Sequence, residues 1–258
     1  MTGAAGVGAL VLLGWAVGTV AGGAWTQSWN VVRRGHFRIV AWSTLMLGGL
    51  SLLAVRATGA DPVWPWAVAF VGVSLLYLVV QYSRTDVPGT VVGAAAALVG
   101  AAALIVATDS LPEWPPALAV LELLAGALLL GAVTNGMLLG HWYLNQPGLK
   151  PWALGRLSDL CLAGVAASAV LGLVAGGRLA GAETEGAVLG LQGFGESFGV
   201  FFYGIWIALL IFTGVVSWMA RRCVKIRSIQ SATGLFYVAI LTAGVSEFLV
   251  RYLMVNAS

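Results

Sequence analysis

Eight apolar runs of membrane-crossing length, joined by short turns, leave this chain little choice of fold. Their expected limits are Gly6–Trp25, Phe37–Val55, Pro65–Tyr82, Thr90–Thr108, Ala117–Leu144, Leu157–Gly176, Phe198–Ala220 and Ala232–Val255. A helix needs ~20 predominantly apolar residues to cross the hydrocarbon of a bilayer. In that medium each backbone N–H and C=O must be satisfied internally, so such runs become helices. The joints carry turn-forming residues, as at Asp61-Pro62, Val87-Pro88-Gly89, Trp114-Pro115-Pro116 and Gln146-Pro147-Gly148. The longest joint, Gly177–Ser197, holds Glu183 and Glu185 and has room for a short interfacial helix. The expected fold is all-α: a polytopic integral membrane bundle of about eight transmembrane helices, one domain over residues 1–258. Neither a soluble domain nor an internal repeat is visible.

Composition agrees. Charged residues make up 9% of the chain, against about 25% in soluble domains. The formal charge of +3 is small and spread over loops, which argues against nucleic acid as a partner. No Lys or Arg precedes the first apolar run, so that run reads as a retained span rather than a cleaved signal. Cys161 and Cys223 are widely separated and form no metal-ligand pattern.

Charge placement predicts the orientation. Arg33, Arg34, Arg38, Arg84, Lys150, Arg156, Arg221, Arg222, Lys225 and Arg227 belong to the odd-numbered loops and their flanks; Arg56, Arg178 and Arg251 fall on the other side. Cytoplasmic loops collect Lys and Arg. Both termini are therefore expected outside a cell (inner or plasma) membrane, with both cysteines toward the reducing cytoplasm.

The stretch Ala117–Gln146 carries the most chemical information. Thr134, His141 and Asn145 share one helical face, and Gly136 and Gly140 form a small-xxx-small step that admits a close neighbour. The chain has two histidines. His36 opens the second span and His141 closes the fifth, so both are expected at similar depth near the basic side. Two imidazoles from different helices can ligate a heme b iron; a histidine can also hydrogen-bond a quinone and relay its proton. The expected site is a pocket lined by His36, Asn135, His141, Tyr143, Asp159 and Gln230. The plainer alternative is a solvated rim whose cations attract anionic lipids.

On the other side, Glu122 lies inside the fifth span with no partner nearby in sequence, and Glu196 opens the seventh. Glu247 and Arg251 stand four apart on the eighth span in the order that favours pairing. Gly14, Gly18 and Gly22 form a ridge on the first span; Gly89/Gly93, Gly172/Gly176 and Gly195/Gly199 repeat the step. These read as packing surfaces. Trp64, Trp66, Trp114, Trp142 and Trp152 read as interface anchors.

Absent motifs narrow the field. Lys150 and Lys225, the two lysines, both read as loop residues, which leaves a retinal Schiff base without a candidate. Signatures for ATP hydrolysis, zinc proteolysis and serine hydrolysis are missing. No pair of broken spans suggests an inverted-repeat transporter.

The segment Glu247-Phe248-Leu249-Val250-Arg251-Tyr252-Leu253 resembles the E-x-x-x-R-Y closing segment of the membrane anchors of molybdenum reductases, the DmsC/NrfD class. The likeness covers one helix, the span count and the placing of both termini outside. It implies a quinone-facing membrane subunit with partner subunits supplying or removing electrons. The expected function is thus a membrane subunit of a redox complex, binding quinone and possible heme b near the cytoplasmic leaflet. Two other readings stay open. One is a small-solute or proton-coupled transporter using Glu122 and Asp159. The other is a structural or assembly subunit whose glycine faces dock other spans.

Overall fold

The computed structural model describes residues 3–82, 87–146, 148–182 and 197–257. The helices are α1 (Gly3–Gln27), α2 (Arg34–Thr58), α3 (Trp64–Val80), α4 (Val87–Ala107), α5 (Pro116–Trp142), α6 (Trp152–Val174), α7 (Gly176–Ala180), α8 (Phe198–Lys225) and α9 (Ile229–Asn256), with a 3₁₀ turn at Thr108–Ser110. No strand occurs among the described residues. Seven of these helices are long and apolar enough to cross a membrane. A further apolar helix, α3, is shorter at 17 residues, at the lower limit of a span, roughly 17 residues. The chain is a multi-pass helical membrane bundle.

The helices overrun the expected spans at charged ends. The seventh run was expected to stop at Ala220, yet α8 continues through Arg221, Arg222 and Lys225. Cations suit the negative end of a helix dipole, so nothing stops the helix there. The short helix expected between Gly177 and Ser197 is α7, at the very start of that joint. Glu183, Glu185, Gly195 and Glu196 lie outside the described residues, as does Arg84.

Contacts at the ends show successive helices running antiparallel. On one face Gln27 at the end of α1 meets Gln81 after α3, Trp142 at the end of α5 lies over Gly35 of α2, and Asp159 of α6 pairs with Arg221 of α8. On the other, Trp114 before α5 donates to the Met254 carbonyl of α9 at 3.0 Å, and Arg178 donates to the Glu113 carbonyl at 2.6 Å. The first is the basic face.

Two closed rings of four helices make up the bundle: α1–α2–α3–α4, and α5–α6–α8–α9. They join chiefly through α1 against α5. No internal repeat shows in the sequence, because a four-helix ring requires only apolar stripes and not matched residues. Lipid tails are as apolar as leucine, so helices in a bilayer associate by close packing and hydrogen bonds rather than by escape from water. The α1–α5 seam uses both. A Cβ on Gly18 would land inside the backbone of Ala127, and one on Gly131 inside the backbone of Gly18. Asn135 donates to the Thr19 carbonyl at 3.0 Å and to the Gly131 carbonyl at 2.9 Å. Trp15 donates to Thr134 at 2.7 Å. The Gly136/Gly140 step receives α9, with Phe236 on Gly136 and Thr233 on Gly140.

Candidate functional site

The six residues expected to line one pocket take up separate positions. His36 is completely buried beside the half-buried indole of Trp142, 6.0 Å between ring centroids, and neither ring nitrogen has a hydrogen-bond partner. His141 is exposed. Asn135 spends both amide hydrogens stitching α1 to α5. Tyr143 donates to the Lys150 carbonyl at 2.7 Å, and burial pushes its phenol up to about 12. Asp159 is exposed and ion-paired with Arg221. Gln230 is exposed.

The two histidines do share the basic face, on helices that touch, α2 and α5. They do not share an environment. One ring is sealed in and the other faces out, and the Trp142 indole packs over Gly35 next to the sealed one. A heme held by both would need both rings turned to one enclosed face. The arrangement does not fit that group.

A latch unmarked in the sequence lies above His36. The Gln146 side chain accepts from the Arg33 backbone N–H and from Trp142 Nε1, both at 2.9 Å, and donates to the Val31 carbonyl at 3.1 Å. It ties the first loop to the end of α5 and holds the indole in place. A second buried polar group joins α1 to α3: the Gln27 and Gln81 amides bond reciprocally at 3.0 and 3.2 Å, with Tyr77 donating to Gln27 at 3.5 Å. In both clusters these hydrogen bonds join chain segments.

The chemically unusual site lies toward the opposite face. Glu247 and Arg251 pair at 2.7 Å with 2% and 3% of their side chains exposed. Arg251 also donates to the Glu122 carbonyl at 2.7 Å and to the Met254 sulfur at 3.0 Å. Glu122 itself is 2% exposed, and its Oε1 has no hydrogen-bond partner. Gly126, one turn on from Glu122, leaves the space that Glu247 and Arg251 fill. The Glu247 carboxylate of α9 and the Glu122 backbone carbonyl of α5 thus hold one buried guanidinium, beside which the Glu122 carboxyl keeps an unbonded oxygen.

Sequence spacing revealed the Glu247–Arg251 pair. It did not reveal that Glu122 joins them, because that requires α5 and α9 to be neighbours. The signal available was the glycine at 126, one turn from an unpaired acid. Trp114, expected as an interface anchor, is 3% exposed and ties the end of α9 beside this cluster.

Compared with known proteins, the chain matches no family model, no curated protein and no solved structure.

Proposed function

We propose that this chain is the membrane subunit of a redox complex that exchanges electrons and protons with a quinone, with Glu122, Glu247 and Arg251 as its proton-handling group. The observation behind this reading is Glu122: a carboxyl enclosed by the bundle, with an oxygen unbonded. Ionisable side chains inside a membrane are costly and tend to mark ion or proton paths. This one sits against an ion pair drawn from the segment that resembles the quinol-facing anchors.

The chemistry asks for such a group. Converting a quinol to a quinone releases two electrons and two protons. The electrons pass to a partner subunit; the protons need an acceptor inside the low-dielectric bundle. Glu122, when ionised, would take these protons one after the other, passing the first on before it accepts the second. Arg251 keeps the pair of acidic groups from carrying two uncompensated charges. Asp159 has no part in this path, being committed to Arg221 at the surface.

The test uses the assembled complex. Lipid extraction of the purified complex is expected to yield a quinone, and Glu122→Gln to lower quinol oxidation about a hundredfold, within the range for a lost general base. Assembly of the complex should be unchanged. No extractable quinone together with full Glu122→Gln turnover overturns the reading. The same carboxyl also suits a proton-coupled transporter. That alternative predicts proton movement into quinone-free liposomes, abolished by Glu122→Gln.

A further inference from the structure

A groove runs along the lipid-facing side of α1, between α4 on one flank and α5 and α6 on the other. Its deeper part holds about 410 Å³ and is lined by Gly18, Ala21, Gly22, Leu98, Leu128 and Leu160, among other apolar residues. It continues past Ala21 and Trp25 toward the basic face, reaching Ser28 and Thr90. Small residues on α1 give it depth, and leucines of three other helices wall it.

The basic end carries an aromatic and cationic cluster. Trp25 meets Trp29 edge-on at 4.7 Å, and Trp29 leans on Trp152 at 5.3 Å. The Arg156 guanidinium stands 5.6 Å from the Trp29 ring and 4.7 Å from the Trp152 ring. Arg156 lies one turn before Leu160 on α6, so both fall on the groove's side of that helix. It is exposed, and among the described residues it has no carboxylate partner.

We propose that this groove binds one anionic phospholipid, with an acyl chain in the groove and its phosphate on Arg156. Apolar contact alone cannot select a lipid, since every tail is about as apolar as the leucines it would touch. Selection must come from the headgroup end. There, tryptophans mark the headgroup level, and an unpaired guanidinium offers the planar fork that fits phosphate oxygens. The exposed, uncompensated cation is what commits the site to an anionic lipid rather than to an uncharged isoprenoid. This site is separate from Glu122 and does not depend on the quinone reading.

The full chain would be reconstituted in vesicles of equal parts phosphatidylcholine and phosphatidylglycerol. It would then be re-solubilised, and the retained lipid identified by native mass spectrometry. Wild type is expected to retain phosphatidylglycerol about fivefold over phosphatidylcholine, the preference one arginine near a surface supplies. Arg156→Gln should level that preference while still retaining lipid. Ala21→Leu, placed where the two parts of the groove meet, should reduce retention of both lipids, with the gel-filtration profile unchanged. Equal retention of the two lipids by wild type overturns the proposal. So does a preference that survives Arg156→Gln, or an isoprenoid quinone from native membranes that is retained in the groove and displaced by Ala21→Leu.

Discussion

Arg251 is surrounded on every side by groups it cannot leave without cost. It donates to the Glu247 carboxylate, the Glu122 carbonyl and the Met254 sulfur, and 3% of its side chain is exposed. Removing it alone, as in Arg251→Met, strands Glu247 inside the bundle. Breaking a buried pair from one side costs about 3–5 kcal/mol. Replacing both partners with apolar groups of similar size removes that stranded charge. The expected order of stability in lipid–detergent unfolding is therefore wild type close to the Glu247→Leu/Arg251→Met double variant, and both well above Arg251→Met. A double variant as unstable as the single one would mean that contacts with Glu122 and Met254, not the charge pair, hold α9. The pair itself was legible because it obeys a local helical spacing. Asn135 was not: its place on a polar stretch suggested a site, but its amide is consumed by the Thr19 and Gly131 carbonyls. Nothing in a single sequence says which carbonyl of another helix an amide will find.

At the scale of the helix, the seam between α1 and α5 carries the assembly of the two rings. Gly14, Gly18 and Gly22 were legible as a packing ridge, and all three do face α5, against Ala127, Gly131 and Asn135. The partner was not legible, since a small-residue ridge announces close approach and not the identity of the approaching helix. The same gap explains the misplaced histidine pocket. His36 and His141 were correctly put at one face by their positions in their spans. Helical phase against particular neighbours then turned one ring inward under Trp142 and left the other exposed. Because Gly18 and Gly131 touch through backbone, neither can accept a side chain by rotating a neighbour. Gly131→Val is expected to cost more than the ~1–3 kcal/mol usual for overpacking a core, and to expose the α1–α5 seam. A protease cut in the segment between α4 and α5 would report this. Wild type should stay associated as two fragments on gel filtration, and Gly131→Val should come apart. Fragments of the variant that stay together would show that α1–α9 and α2–α5 contacts suffice.

For the molecule as a whole, the structure sharpens the charge asymmetry that orients it. Of the three arginines on the less basic side, Arg251 is sealed beside Glu247 and is no longer a loop charge. That leaves Arg178 and Arg56 as the exposed arginines of that side. The opposite face keeps exposed Arg156, Arg222, Lys225 and Arg227. Orientation follows Lys and Arg in short loops near the span ends, irrespective of net charge. The face bearing Arg227 should therefore be cytoplasmic, and the face bearing Asp61 external. Even span number then places the start of α1 and the end of α9 together on the Asp61 side. The experiment needs a background without Cys161 and Cys223, followed by single Asp61→Cys and Leu144→Cys variants, since both positions are exposed on opposite faces. A membrane-impermeant maleimide applied to intact cells should label Asp61→Cys at once and Leu144→Cys only after permeabilisation. The reverse pattern would invert the bundle. It would also move the Glu122 cluster to the cytoplasmic half and the Arg156 groove to the outer leaflet, so the proton acceptor and the lipid site would exchange sides together.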